Sequence, residues 1–261
     1  WLGVQLGAWR RMVASWMPIT ETRMKNYLIA LPLALATSVA AAETPTMALG
    51  GSVGLMGAGV DLSLKLNDQF NGRAAARFGA ISADGEEDGI DYEGDLDLSA
   101  VGLLVDFHPM RGSFRITGGM FSNGNELNLT GYAPDSAAIG DRTYTFDDGK
   151  VDTNVSFDST APYLGIGWGN PVSSGSRWTF MADVGVLFQG SPKASSTATG
   201  TVTDVALEAQ FPGQGSFTIG DGSTTDLTFQ EELEKEEKNL NDELEDFDML
   251  PVVSIGIAYR F

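Results

Sequence analysis

The sequence has no cysteine and a single histidine. Without cysteine there is no disulfide, no thiol chemistry and no thiolate metal site. With only His108, a hydrolase of the Ser–His–Asp type has one candidate base, and it lies in "FHPMRG", a turn-like segment with no nucleophile motif beside it. Basic residues are scarce as well: 16 Lys and Arg face 35 Asp and Glu, for a formal net charge of −19. That balance argues against a nucleic-acid partner. Long apolar runs are also missing. Hydrophobic residues make up 43% of the chain, yet none of the runs reaches the roughly 18 residues of a transmembrane helix. There is no solenoid-type repeat.

One apolar stretch does stand out. From Met24 the chain reads "MKNYLIALPLALATSVAAAE". Lys25 supplies a positive start, Tyr27 to Val39 an apolar core, and Ala40, Ala41 and Ala42 a small-residue cleavage site before Glu43. This is the layout of a secretory signal peptide. Residues 24–42 are therefore expected to be a signal peptide, 1–23 an upstream leader outside the fold, and 43–261 the folded unit. Loss of Arg10, Arg11, Arg23, Lys25 and Glu21 with the leader makes the remainder more acidic still.

Within 43–261 the dominant pattern is alternation with period two, the mark of half-buried strands. "VDLSLKL" (60–66) sets Val60, Leu62, Leu64 and Leu66 against Asp61, Ser63 and Lys65. "RWTFMADVGVLF" (177–188) behaves alike. The runs match the roughly 9–11 residues with which a tilted strand crosses a bilayer. A soluble sandwich also alternates, but here the non-apolar faces carry charges that a soluble core would not accept unpaired. Short turns at 67–69, 108–113 and 169–176 alternate with long acidic connections, as in outer-membrane barrels. Phe70, Phe107, Phe114, Trp168, Trp178, Tyr259 and Phe261 fall near strand ends, where an interfacial girdle would lie. The expected fold is thus all-β: an eight-stranded antiparallel transmembrane barrel with short periplasmic turns and long acidic external loops. The strands fall near 46–56, 58–66, 70–83, 91–107, 113–130, 154–168, 177–189 and 250–261. The first is required by parity, since an even barrel begins and ends in the periplasm. Leu96 and Leu98 are out of phase with Val101, Leu103 and Val105, which predicts a β-bulge near Ser99 and Ala100. The connection 190–249 changes period over 226–247. There Phe229, Leu233, Leu240, Leu244 and Phe247 share one helical face, predicting an amphipathic helix capped by Thr224 or Thr225, outside the barrel or over its mouth.

"APYLGIGWGNPVSSGSRWTFMADVGVLFQGSPK" (161–193) and the closing "MLPVVSIGIAYRF" resemble a family of small proteobacterial outer-membrane barrels, the carbapenem-susceptibility-associated type described as ornithine-uptake porins. The resemblance implies an eight-stranded barrel in the cell outer membrane. It brings no motif of functional residues onto these positions.

The candidate site residues come from strand parity. Asp61, Lys65, Arg73, Arg77, Asp106, Arg115, Asp183 and Arg260 are expected to line the lumen. A tight 67–69 turn pairs Asp61 with Ala75, diagonal to Arg73 and Arg77. A 108–113 turn pairs Phe107 with Phe114 and Asp106 with Arg115. Eight strands leave an interior just wide enough for side chains to fill. The set reads either as a structural ion-pair network or as the lining of a narrow conduit, and the expected function is a narrow porin-like channel for small cationic or zwitterionic solutes drawn by the acidic external loops. The rival to a conduit is a non-conducting barrel whose acidic loops meet cations, lipopolysaccharide or a partner. The acids of 84–97 lack the spacing of a calcium loop, so no metal site, cofactor or enzyme activity is expected. Tyr259 and Phe261 resemble the C-terminal signal read by outer-membrane assembly machinery. The expected partners are that machinery, outer-membrane lipid with its lipopolysaccharide, and small cationic solutes or divalent cations.

Overall fold

The computed structural model describes residues 46–261 except 88–89, 133–135 and 174. The expected leader and signal peptide lie outside the described residues. In chain order the strands are β1 (Met47–Gly54), β2 (Gly57–Lys65), β3 (Phe70–Glu87), β4 (Ile90–Phe107), β5 (Phe114–Asn123), β6 (Glu126–Tyr132), β7 (Ser136–Ile139), β8 (Arg142–Ser156), β9 (Thr160–Trp168), β10 (Trp178–Phe188), β11 (Lys193–Asp204), β12 (Ser216–Thr218) and β13 (Met249–Arg260). Two helices, α1 (Val205–Gln210) and α2 (Thr224–Leu244), separate the last three strands.

Eight of the strands close on themselves in the order β1, β2, β3, β4, β5, β9, β10, β13 and back to β1, every pair antiparallel. Closure gives each of the eight wall strands a partner on both sides within the barrel, which is what a strand needs to cross lipid without water. Leu103, Val101, Phe180, Val184, Ile255 and Ile257 are among the large apolar residues exposed on the outside. An apolar surface of that extent is a lipid-facing belt rather than a solvated one. At the short-turn end it finishes in aromatic pairs: Phe70 stacks on Phe107, Phe114 meets Trp168 and Trp178 meets Tyr259, with ring centres 4.9, 5.3 and 4.9 Å apart.

Half of the wall does not stop at the opposite rim. The β3–β4 hairpin runs on to Glu87 and Ile90. β6 continues β5 and pairs with upper β4; β8 precedes β9 and pairs with β6; β11 follows β10 and pairs with β8. The expected single strands 113–130 and 154–168 are therefore each broken, at Gly124–Asn125 and at 157–159, into a wall portion and an upper portion. The seam is stitched by polar contacts: Asn123 N donates to Ser159 O (2.8 Å), Ser99 N to Asn125 Oδ1 (3.0 Å) and Asp158 N to Gln189 O (3.0 Å). The long connections of this half are thus largely sheet, which sequence alternation alone did not separate from loop.

The predicted bulge is absent. β3 and β4 pair one-to-one from Phe70–Phe107 to Glu87–Ile90. The out-of-phase leucines have another cause. Below the rim the outside is lipid and the inside polar, so Val101, Leu103 and Val105 point out. Above it the outside is solvated and the inside is an apolar core, so Leu96 and Leu98 point in. The side-chain order is continuous, and it is the surroundings that invert.

The interior of this upper lobe is filled by α2, which lies on the concave side of the sheet and replaces the half of the wall that stopped. Phe229 and Leu233 join Ile139, Tyr144, Phe146, Val151, Val202 and Phe217 in one core. Leu240 and Leu244 join Leu127, Val155 and Ala194 in a second. Tyr144, Phe217 and Phe229 meet edge to face, with ring centres 5.0 to 6.5 Å apart. The helix is where the sequence placed it, with the same apolar face. Its cap is Ser223, whose hydroxyl accepts from Asp226 N (3.2 Å), in place of Thr224 or Thr225. Ser223 is the last residue in extended conformation, which the cap position requires.

Candidate functional site: the lumen and the external lobe

At the short-turn end, the stretch 169–173 folds inward, and Val172 is only 2% exposed. Three inward side chains hold it. Arg115 donates to Gly169 O. Arg260 donates to Ser173 O and, at 2.9 Å, to Gly175 O. Asn71 donates to Asn170 Oδ1 (3.2 Å). His108 closes the neighbouring turn. Its Nδ1 lies 2.9 Å from Gly112 O and its Nε2 3.0 Å from Asn71 Nδ2. A carbonyl only accepts, so Nδ1 carries the proton and Nε2 receives one from Asn71. Burial lowers the pKa of this imidazole and keeps it neutral.

Above this floor lies a ring of six charges. Arg77 meets Asp61 at 2.8 Å. Arg73 lies 3.8 Å from Asp61, 3.0 Å from Asp106 and 3.4 Å from Asp183. One Arg115 nitrogen lies 2.8 Å from both oxygens of Asp183. Thr117 donates to Asp106 at 2.6 Å. All six charged residues are buried. Three guanidiniums against three carboxylates make the ring neutral, so its net charge gives no preference for cations. Asp61 faces Ala75 across β2–β3 and is diagonal to both arginines, as the 67–69 turn predicts. The β4–β5 register differs from expectation. Asp106 faces Thr117 and Phe107 faces Ile116, while Phe114 and Arg115 pair beyond the end of β4 with Trp168 and Gly167. The physical reason is the turn: His108 N bonds back to Gln69 O, and Arg111 takes a left-handed φ of 54°. The turn therefore absorbs Phe114 and Arg115 before β4 and β5 meet.

A third layer is apolar: Met56, Leu104, Phe121, Tyr163, Leu187 and Val252 pack together above the ring. Tyr163 fits because Gly165 and Gly185 lie beneath it; a Cβ on either would come 2.5 Å from its hydroxyl. Between ring and apolar layer remains a void of about 10 Å³ bordered by Arg73, Arg77, Tyr163, Asp183 and Ser254. That is about the volume that one water centre needs. Two expected lumen residues lie elsewhere in height. Lys65 is exposed at the turn, paired with Asp68 at 3.0 Å. Arg260 belongs to the floor. Tyr259 and Phe261 stand on the outer face in the aromatic rim, their rings 6.2 Å apart.

In the lobe, α2 does more than bury leucines. Its acids accept strand and turn amides: Glu232 from Asp141 N (2.7 Å), Glu236 from Gly140 N (3.3 Å) and Glu237 from Ser196 N (2.9 Å). Asn241 both accepts from Ala194 N (2.8 Å) and donates to Ala194 O (3.1 Å). The part of the β11 edge that β12 leaves free is thereby occupied at Ala194 and Ser196, which hinders pairing with another strand. Lys235 and the Asp141 amide hold the Glu232 carboxyl below its ordinary range. Burial pushes the Tyr144 phenol up to about 12. Sequence reading missed these acids because their partners are backbone groups, which leave no residue signature. Among the described residues no cluster of potential metal ligands occurs.

A closed eight-stranded antiparallel barrel with an apolar belt and a charge-filled core has the architecture of the small outer-membrane barrels. Among solved structures, the chain is similar to Acinetobacter baumannii CarO, at 20% identity over 85% of this chain and 100% of that one, with a TM-score of 0.51. It is also similar to CarO2 of the same organism, at 19% identity over 83% and 98%, with a TM-score of 0.52. A major outer membrane protein from Thermus thermophilus matches at 13% identity over 84% and 100%, with a TM-score of 0.41. No protein-family profile and no curated protein matches the sequence.

Proposed function

We propose that this protein is an outer-membrane barrel that is closed to solutes at rest and whose working part is the rigid lobe carried above its rim. The short turns then face the periplasm and the lobe faces the outside, with Tyr259 and Phe261 available to the assembly machinery. The observation that carries this reading is the stack of an inward turn, a balanced ion-pair ring and an apolar layer inside the lumen. Planar-bilayer recording of refolded 43–261 tests it. Conductance at the bare-lipid baseline, with no solute flux into liposomes, is the expected outcome. Steady single-channel steps would overturn it.

A second reading has one observation in its favour: charged side chains from five of the eight wall strands, β2, β3, β4, β5 and β10, meet inside the lumen, as in a conduit lining. In that reading the ring parts to pass small solutes. Replacing Asp61 and Arg77 together by alanine separates the two. A conduit gains conductance, whereas a closed barrel loses stability and stays silent. For orientation, Thr197→Cys is expected to label on intact cells and Gln69→Cys only after permeabilisation.

A further inference from the structure

The outer face of the lobe is the upward continuation of the lipid-facing wall. On β4 the same side of the strand carries Val105, Leu103 and Val101 in the belt, and then Asp97, Asp95 and Glu93 above it, all exposed. In the proposed orientation, molecules whose acyl chains surround the belt extend their sugars past this face.

The face is built in rows. Strand pairing aligns Ser82, Asp95, Asn128, Asn154 and Ser195 across five strands. The next row is Asp84, Glu93, Thr130, Asp152 and Thr197. Above it Tyr132, 44% exposed, stands beside Lys150. Neighbours within the rows are already ordered: Ser82 donates to Asp95 (2.5 Å), Asn154 to Asn128 (2.8 Å) and Thr130 to Asp152 (2.9 Å). Carboxylates and amides keep further acceptor and donor capacity after such bonds. Strands lie about 4.8 Å apart, a spacing comparable with the length of one pyranose unit. A pre-ordered array of carboxylate, amide and hydroxyl groups with one exposed aromatic ring matches sugar hydroxyls, which both donate and accept. Acids outnumber bases on the face, so phosphate groups are disfavoured there.

We propose that this face binds the neutral glycan of the lipopolysaccharide around the barrel, with the two rows hydrogen-bonding sugar hydroxyls and Tyr132 stacking on a ring. The inference rests on the orientation proposed above. Its test does not depend on conduction or on membrane placement, so the two can fail separately. Refolded 43–261 in detergent is titrated with lipid-free, dephosphorylated oligosaccharide released from smooth lipopolysaccharide, with and without EDTA. Saturable binding unaffected by EDTA is expected. It should weaken at least tenfold in Asn128→Ala/Asn154→Ala and in Tyr132→Ala, and remain unchanged in Glu234→Ala/Asp242→Ala on the exposed side of α2. Thr197→Arg, which adds bulk to the face without removing a buried group, is a further variant should the double alanine not refold, and it should also weaken binding. Absence of binding, binding untouched by the face variants, or binding only to phosphorylated material through divalent ions would each overturn the proposal.

Discussion

Arg115 is 1% exposed, and its charge is tolerable there only because Asp183 takes two hydrogen bonds from it and Gly169 O a third. Removing one partner of a buried pair leaves the other uncompensated. Asp183→Ala is therefore expected to destabilise the barrel by about 3–5 kcal/mol, read as a lower urea midpoint of the folded band on semi-native gels. Replacing Arg115 and Asp183 together by leucine should cost much less, because neither charge is then stranded. How far these residues could be read in advance depended on sequence distance. Asp61 with Arg73 and Arg77 was legible because a tight turn joins their strands and fixes the register. Asp183 with Arg73 was not, since the two are 110 positions apart and meet only across the lumen. Lys65 had the right parity for the lumen, but parity gives the side of a wall and not the height on it.

At the scale of elements, α2 is the piece whose removal is most informative. Phe229 is fully buried between Tyr144 and Phe217, so Phe229→Ala is expected to cost the lobe about 3–5 kcal/mol. The measurement is hydrogen exchange, which should quicken over α2, β8 and β11 while the wall strands hold. Helix docking should also depend on acid. The Glu232 carboxyl is held low by Lys235 and the Asp141 amide. A depressed folded pKa adds stability that is complete above the ordinary glutamate value of about 4.3 and fades as pH falls through the lower folded value. Protease cleavage near Gly140–Asp141 is therefore expected to be slow at neutral pH and faster near pH 3, a contrast that Glu232→Gln should abolish. The helix itself was plain in the sequence from its change of period. Its acids at the β11 edge were not, and neither was the meaning of the Leu96–Leu98 phase, because alternation records two environments without saying which is lipid.

The whole molecule is a barrel whose wall rises on one side and is completed there by a helix. The lumen layer and the lobe have separate apolar cores. Damage to one is expected to spare the other: Phe229→Ala should still migrate as a folded barrel on unboiled gels. Conversely, the proposed closure of the lumen and the proposed glycan binding by the lobe rest on different layers, so conductance and glycan titration report independent properties.

The sequence by itself determined the eight wall strands in outline, the short turns and the apolar face of α2. Those follow from periodicity and parity, which are local or depend on chain order alone. Only the tertiary structure decided that an inward turn, a balanced ion-pair ring and an apolar layer stack in the lumen, and that the long connections form a second storey of the wall. Each of these depends on which distant residues reach the same height, and height is set by strand stagger around a closed barrel, a quantity that no single stretch of the chain contains.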